Sequence, residues 1–324
     1  MSLSISVAMC TYNGVRFLKK QLASIAAQSR PPDELVVCDD CSSDGTPEVL
    51  NEFARSSRFA TRFVVNHEHL GSTKNFEKAI FLCQGKIISL ADQDDVWYRH
   101  KLERIEEAFM RSSAIVAAFS DADVIDEDAR PLGFKLWKAC RFDSGEQARF
   151  AKHRALEVLV RHPVVTGATM AFRRELFDIV APIPFDHIHD RWISFLLVAR
   201  GQFEVIREAL MQYRQHKEQQ AGLPPQKLSG LIAQAQRRGA TFHHEEIDRF
   251  RQLRERLTRR ETDFPYAQTA LHEIERKVTH LTHRAQLPQT RIARLPLVLR
   301  ESLNLGYWRY SAGWNSIARD LVIR

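Results

Sequence analysis

The sequence predicts an α/β protein with a mostly parallel central sheet flanked by helices, followed by a helical C-terminal extension. Through the first 120 residues, short apolar runs alternate with segments of helical periodicity, which is typical of a parallel sheet covered on both faces. Polar clusters follow three of these apolar runs, where open α/β sheets bind their ligands. The last hundred residues are helix-rich and strongly basic.

The predicted strands of the first half are short and apolar: Leu3–Met9, Glu34–Cys38, Arg62–Asn66, a run ending at Asp92, and Ile115–Phe119. Helices are predicted between them because apolar residues recur at helical spacing: residues 18–26, a helix starting at Thr46, Ser72–Cys83 and His100–Arg111. We expect Thr46 to be an N-cap and Pro47 to occupy the first helical position.

The second half is less regular. Residues 131–155 lack clear periodicity and are predicted to form a long loop or lid. The remaining predicted elements are a strand over Val164–Phe172 broken by Gly167, a helix with Asp190 at its N-terminus, and short strands over Phe203–Ile206 and Ala209–Tyr213.

Gly222-Leu223-Pro224-Pro225 interrupts the pattern, so we predict a domain boundary there. Residues 1–224 would form one α/β domain, divided into halves over about 1–120 and 121–224. Residues 225–324 would form a basic helical extension.

The most informative segment is Asp92-Gln93-Asp94-Asp95, three carboxylates at the tip of an apolar strand. Like charges repel each other there, and a divalent cation placed between them would remove the repulsion. Oxygen ligands with an open side suit Mg²⁺ or Mn²⁺ holding a diphosphate. A solvated turn after an edge strand is the alternative.

Three polar clusters are expected to meet at one edge of the sheet. Cys10–Asn13 follows the first predicted strand, Asp39-Asp40 ends the second, and Asp92–Asp95 ends the fourth. Because parallel strands place their carboxyl ends together, these clusters would share one crevice.

The charge of the chain is uneven. Residues 1–224 contain 29 Lys+Arg and 30 Asp+Glu, a net −1, whereas residues 225–324 contain 18 and 10, a net +8. This excess indicates an anionic surface or partner for the extension. No recognised nucleic-acid-binding module is present, so no nucleic-acid partner is expected.

The end of the extension mixes Leu, Trp and Tyr with Arg, and two interpretations stay open: a helical cap on the front domain, or a membrane-surface helix attracted to anionic lipid. No apolar stretch reaches the length of a membrane span, and the first residues lack the pattern of a signal peptide. We therefore expect a cytoplasmic protein, with peripheral contact at the cytoplasmic face of the inner membrane if the second interpretation holds.

Seven short motifs in this order resemble family-2 glycosyltransferases, which have the GT-A fold. They are SVAMCTYNG, VVCDDCSSDGT, NHEHLGSTKNFEKA, LADQDDVW, VTGATMAFRRELF, HDRW and YRQH, and they cover about residues 3–217. The NFE, DQDDVW and HDRW variants are most similar to the bacterial branch that includes rhamnosyltransferases of surface-polysaccharide assembly.

The resemblance assigns roles by position. Donor-binding residues would be Cys10, Thr11, Tyr12, Asn13, Asp40, Lys74, Asp92 and Gln93. Asp94 and His216 would bind the metal, Asp190 would be the catalytic base, and Asp95 would hold the loop. Acceptor contacts would come from Trp97, Gly167, Ala168, Thr169, His189 and Arg191. For Trp97 a core position is the alternative, and Arg191 would either pair with Asp190 or contact the acceptor.

The resemblance implies an inverting transfer that depends on Mn²⁺ or Mg²⁺. The donor would be dTDP-rhamnose or a UDP-sugar, and the acceptor a hydroxyl of a glycan or of a lipid-linked oligosaccharide. Two alternatives are a sugar nucleotidyltransferase and a nucleotide-binding scaffold that has lost activity. The first would need a Gly-rich basic loop where this chain has CTYNG.

Overall fold

A computed structural model describes residues 2–219, 223 and 241–322. Its sheet has nine strands in the order β3-β2-β1-β4-β8-β6-β9-β5, with β7 paired to β6. The strands are β1 Ile5–Thr11, β2 Glu34–Asp39, β3 Ala60–Val65, β4 Ile87–Ala91, β5 Val96–Trp97, β6 Ile115–Ile125, β7 Pro131–Lys135, β8 Met170–Arg173 and β9 Gln202–Arg214.

The helices of the front part are α1 Val15–Ala26, α2 Thr46–Ser56, α3 Ser72–Leu82, α4 Lys101–Met110, α5 Leu136–Ala139, α6 Ser144–Ala151, α7 Ala155–Leu159, α8 Phe177–Val180 and α9 His189–Arg200. The C-terminal helices are α10 Thr241–Arg259, α11 Ala267–Ala285, α12 Arg291–Leu303, α13 Gly306–Tyr310 and α14 Trp314–Val322.

The predicted sheet is confirmed. Strands β3, β2, β1 and β4 are parallel neighbours, and β6 and β9 run in the same direction beyond the antiparallel β8. Strands β1, β2 and β4 are buried on both faces, since alternate residues enter two different cores. In β1, Ile5, Val7 and Met9 pack on one side, whereas Ala8 and Cys10 pack on the other.

The structure corrects two local predictions. Residues 131–155 form β7, α5, α6 and the start of α7 rather than a loop, because their apolar residues are buried one by one against the sheet instead of along a regular stripe. The two predicted strands near Phe203 and Ala209 are one strand, β9, whose register against β6 shifts between Ser120 and Asp121. The predicted division near residue 120, between a nucleotide-sugar half and an acceptor half, falls within β6 and stays a prediction.

Helix α2 differs from the prediction at its start. Thr46 is its first residue and Gly45 its N-cap, so Pro47 lies one position later than expected. The Thr46 hydroxyl accepts a hydrogen bond from the Gly14 N–H, while the Asp44 carboxylate accepts one from the Thr46 N–H. The side chain predicted to cap the helix instead fastens the loop after β1.

The first two C-terminal helices cover one face of the sheet domain. Ile247, Phe250 and Leu253 of α10 belong to the same core as α9, and Phe250 packs edge-to-face on Phe195. Arg256 donates hydrogen bonds to three backbone carbonyls at residues 179, 181 and 182. The two interpretations stated for the end of the extension concern residues after α11 and stay predictions. The boundary predicted at residues 222–225 lies outside the described residues, apart from Leu223.

The final helices have a small core of their own, formed by Leu287, Val298, Tyr307 and Ile317. Among the described residues, no helix is long and apolar enough to cross a membrane.

Candidate active site

The three predicted polar clusters meet at one edge of the sheet. Thr11 at the end of β1 is in register with Asp39 of β2, and Met9 is in register with Ala91 of β4, directly before the acidic segment. Strands β6 and β9 end at the same edge, since they run parallel to β4. This edge is where an open α/β sheet binds its ligand.

Short hydrogen bonds fasten the loops at this edge to each other. The Gln93 side chain accepts from the Tyr12 N–H (2.8 Å) and donates to the Tyr12 carbonyl (3.0 Å). Asn13, which has a positive φ of 46°, accepts from the Ser43 N–H. The predicted donor residues of β1 and β4 therefore lie side by side.

The two adjacent aspartates of β2 have different surroundings. Asp39 is fully buried and accepts hydrogen bonds from the hydroxyls of Thr11 and Ser42 (2.7 and 2.6 Å), so it holds two loops together. Asp40, predicted to bind the base, points toward the loop before α3.

Asp40 already accepts several hydrogen bonds in this conformation. Its carboxylate receives N–H groups of Asn66, Leu70 and Gly71 at 2.7–2.9 Å, and His69 Nδ1 lies 3.0 Å away. These contacts use most of the acceptor capacity of a carboxylate. A bound base would therefore have to displace one partner, and the exposed His69 is the one that a rotamer change can remove.

His69 also covers the predicted base-stacking residue. The rings of Tyr12 and His69 lie 4.6 Å apart, and the Tyr12 side chain is half-exposed. His69 was missed by the sequence analysis, although the motif His67-Glu68-His69 precedes the helix that carries Lys74. Lys74 itself lies in the first turn of α3 and forms an ion pair with Glu77 (3.0 Å).

The two predicted metal ligands are in contact. His216 follows β9, and its Nε2 lies 2.7 Å from Asp94 Oδ2, although 122 residues separate the two in the chain. Within the described ranges, no group of three or more His, Cys, Asp or Glu side chains is arranged to hold a metal ion. The pair suits a Mg²⁺ or Mn²⁺ ion that takes its remaining ligands from water and a substrate diphosphate.

The acidic segment is short of positive charge. Burial, together with the neighbouring Asp94 and Asp190, raises the pKa of Asp92 to about 7. Burial, together with the neighbouring Asp94 and Asp92, raises the pKa of Asp95 well above its usual range, and its Oδ2 has no hydrogen-bond partner in the described structure. A carboxylate in this state gains from a nearby cation, which is the observation that fits a divalent ion.

Lys101 is a further site residue that sequence reasoning missed. It is fully buried, its Nζ donates to the Ala168 carbonyl (2.6 Å), and it lies 4.0 Å from the ring centre of Trp97. Burial lowers its pKa, while Asp95 and Asp92 raise it. Lys101 thus lies between the acidic segment and Ala168, one of the residues predicted to contact the acceptor. Its position three residues after Tyr98 gave no signal, because a lysine early in a helix is usually solvated.

Arg214 at the end of β9 holds the acidic loop. Its N–H donates to Asp95 Oδ1 and its Nε donates to the Asp94 carbonyl. Its guanidinium also donates to two carbonyls in the turn after β6, at Asp126 and Glu127. Asp95 is therefore placed to hold the loop, as expected from the resemblance.

Asp190, the predicted catalytic base, contacts Gly167, one of the residues predicted to contact the acceptor. Asp190 is in the first turn of α9, where the helix dipole favours a carboxylate. Its Oδ2 accepts the Gly167 N–H (2.9 Å). Asp190 also contributes to the raised pKa of Asp92, so the two carboxylates lie near each other. Arg191 forms no ion pair with Asp190 within the described part of the chain, and it is exposed.

Four predicted acceptor residues are buried. Trp97 lies in the core, which supports the alternative stated above. His189 is buried and stacked on Phe76 (4.0 Å between ring centres). Ala168 and Thr169 are buried as well, in the short turn before β8.

The comparisons with known proteins agree with this geometry. Residues 6–180 match the family model described as "Glycosyl transferase family 2". A putative teichuronic acid biosynthesis glycosyltransferase of Bacillus subtilis, TuaG, is 30% identical over 40% of this chain and 50% of its own length. The dTDP-rhamnosyl transferase RfbG of Shigella flexneri is 24% identical over 66% of this chain and 73% of its own length.

A third relative is the glucosyltransferase WfgD of Escherichia coli, named for UDP-Glc and α-D-GlcNAc-diphosphoundecaprenol. It is 27% identical over 39% of this chain and 48% of its own length. The chain therefore spans only about half of two of these three relatives.

Two solved structures share the fold. S. aureus TarS 1–349 in complex with UDP-GlcNAc has a TM-score of 0.55 at 16% identity, covering 94% of this chain and 92% of TarS. The mannosyltransferase PcManGT of Pyrobaculum calidifontis, in complex with GDP-Man and Mn²⁺, has a TM-score of 0.53 at 19% identity, covering 100% and 86%. Because the family model covers more than half of the chain and the sheet is that of the GT-A fold, this protein belongs to glycosyl transferase family 2.

Proposed function

We propose that this chain transfers a sugar from a nucleotide diphosphate to an acceptor hydroxyl, with metal assistance and with inversion at the anomeric carbon. One observation carries the proposal: the Asp94–His216 pair and Asp190 come from three distant segments and lie near one sheet edge. Asp94 and Asp190 both contribute to the raised pKa of Asp92, which lies at that edge. The Asp94–His216 pair would serve the charged leaving group, and Asp190 would remove the proton from the acceptor.

The donor side would stabilise the departing nucleoside diphosphate. Asp94 and His216 would hold the divalent cation, which supplies Lewis-acid stabilisation of the negative charge on the leaving group. Asp92 would contact the ribose, and the Tyr12–His69 ring pair would open to stack on the base. Asp40 would then exchange its contact with His69 for the base N–H.

The acceptor side would remove a proton. The Gly167 N–H binds one oxygen of Asp190 and orients the carboxylate, leaving the other oxygen to accept the proton of the attacking hydroxyl. The oxygen of the acceptor hydroxyl attacks the anomeric carbon as the bond to the diphosphate breaks, so the configuration inverts. A single direct displacement needs no carboxylate nucleophile, unlike a retaining double displacement.

The proposed donor is dTDP-rhamnose or a UDP-sugar, and the proposed acceptor is a glycan or a lipid-linked oligosaccharide of surface-polysaccharide assembly. Relatives named for a dTDP-rhamnosyl and a UDP-Glc reaction, one with a diphosphoundecaprenol acceptor, support this choice. A lipid-linked acceptor would place the protein at the cytoplasmic face of the inner membrane.

The test combines calorimetry with a transfer assay. Titration of dTDP and UDP into the protein, with Mn²⁺ and with chelator, should show metal-dependent binding that Asp94→Asn removes. Asp190→Asn should retain nucleotide binding but lower the rate of sugar transfer to a membrane lipid extract by about 10²–10⁴-fold. The matched control is Asp186→Asn, the same change at an exposed residue four positions earlier.

A fully active Asp190→Asn variant would contradict the assignment of the base. Nucleotide binding without transfer in the unmodified protein would favour the scaffold alternative, and formation of a sugar nucleotide from a sugar phosphate would favour a nucleotidyltransferase.

A further inference from the structure

Exposed apolar side chains are concentrated at the C-terminal end of the described chain. Of 17 exposed large hydrophobic residues in the described structure, eight fall within residues 292–322. Five of them lie on α12, and four of these five share one side of the helix: Ile292 (82% exposed), Leu295 (54%), Leu299 (61%) and Leu303 (75%). At 3.6 residues per turn these four fall within an arc of about 80°, so they form one stripe, here called the α12 face.

The opposite side of α12 is anchored, which fixes the α12 face outward. Arg294 is buried and donates hydrogen bonds to the carbonyls of Pro288, Gln289 and Asp320. Val298 belongs to the small core of the final helices. Glu301 contacts the rings of His280 (2.5 Å) and His283 (3.1 Å) on α11. Rotation of α12 to bury the stripe would break these contacts.

The charge around the α12 face is positive. Residues 286–322 contain five arginines and two acids. Both acids are engaged internally, since Asp320 pairs with the buried Arg284 and Glu301 contacts the two histidines. Arg291 and Arg300 are exposed, and helical geometry places one on each side of the stripe.

An aromatic pair lies beyond the end of α12. Trp314 is 72% exposed, and its ring contacts that of Trp308 at 5.4 Å in an edge-to-face arrangement. Tryptophan side chains favour the boundary between lipid headgroups and acyl chains, because the indole is apolar with one polar N–H.

We propose that the α12 face is a membrane-contact site, which inserts its four apolar side chains at the headgroup boundary of an anionic bilayer. A stripe of exposed leucine and isoleucine flanked by arginines is complementary to such a surface in both its apolar area and its charge. Because both acids have internal partners, the exposed charge beside the α12 face is positive, which favours anionic lipid over a basic protein partner. The site is independent of catalysis, so it adds a location to the proposed function without resting on it.

The experiment measures vesicle binding of the full chain without donor or metal. Sedimentation with phosphatidylglycerol–phosphatidylcholine vesicles should show strong binding, which falls with pure phosphatidylcholine and with high salt. Ile292→Gln/Leu299→Gln should lower the partition coefficient by at least about tenfold. Arg291→Gln/Arg300→Gln should remove the preference for anionic lipid.

The matched control is Phe81→Gln/Met110→Gln, which removes comparably exposed apolar side chains from α3 and α4. It should bind vesicles like the unmodified protein. Unchanged circular dichroism and melting temperature would show that the α12 variant is folded, as expected for glutamine on an exposed helix surface.

Three outcomes would overturn the proposal: no binding of the unmodified protein to anionic vesicles, equal binding by the α12 variant, or equal loss in the control. A concentration-dependent dimer that the α12 variant abolishes, without vesicle binding, would assign the face to a second copy of the chain. Asp190→Asn should bind vesicles normally, which separates this test from that of the proposed transfer.

Discussion

The sheet edge and the C-terminal helices treat charged and apolar side chains in opposite ways. At the sheet edge the apolar residues are buried, while the acidic segment is crowded with like charges and Asp95 Oδ2 has no partner in the described structure. In the last helices Asp320 forms an ion pair with Arg284 and Glu301 contacts the rings of His280 and His283, while leucines remain exposed. Crowded carboxylates without enough cationic partners indicate a positively charged ligand, whereas exposed leucines on one helix face indicate contact with an extended apolar surface.

The largest expected effect tests whether the charges of the C-terminal helices are structural. Asp320→Asn leaves the Arg284 guanidinium buried without its carboxylate partner and weakens the contact with Tyr307. We expect the free energy of unfolding to fall by about 3 kcal/mol, measured by urea denaturation.

The control for this change is Asp248→Asn, which breaks an exposed ion pair with Arg251 and should cost about 0–1 kcal/mol. Equal losses in the two variants would mean that burial of the Arg284–Asp320 pair does not matter.

The free energy of unfolding should also depend on pH through His187, which lies where α10 packs on the front domain. His187 is buried, with Asp186, Arg249, Glu246 and Arg191 as its charged neighbours. Burial lowers its pKa from 6.5 to about 4. The folded state thus disfavours the proton, so this contribution to stability is complete above pH 6.5 and is lost as the pH falls toward 4.

We expect about 2 kcal/mol of unfolding free energy to disappear between pH 7 and pH 4.5, and His187→Gln to reduce that slope. Urea titrations over this pH range measure it, with the exposed His67→Gln as control. A His187→Gln variant with the same slope as the unmodified protein would remove His187 as its source.

The smallest effect has the opposite sign and lies at the sheet edge. Burial and two neighbouring carboxylates raise the pKa of Asp92 to about 7, so at pH 8 Asp92 is mostly ionised and its charge costs folding free energy in the metal-free fold. Asp92→Asn should therefore raise the free energy of unfolding by about 1 kcal/mol at pH 8 with chelator present.

The same asparagine substitution would thus destabilise one region and stabilise the other. A destabilised Asp92→Asn variant would show that Asp92 has a structural partner, and the contrast between the two regions would fail.

Much of the front domain was predictable because its signals are local. The alternation of strands and helices depends on residues close in sequence, and parallel strands necessarily bring Thr11, Asp39 and Asp92 to one edge. Residues 131–155 were mispredicted because their short helices bury residues without regular periodicity. Whether the end of the extension is a cap or a membrane-surface helix was undecidable from sequence, since the same basic amphipathic pattern suits both.

The sequence by itself determined the fold class, the sheet edge that carries the site, and the identity of its carboxylates, because hydrophobic periodicity and strand direction are fixed by neighbouring residues. Only the tertiary structure decided that His216 contacts Asp94, that the Gly167 N–H binds Asp190, and that the buried Lys101 donates to the Ala168 carbonyl. Those contacts join segments tens of residues apart, and their distances follow from packing around the shared core, which no local pattern encodes.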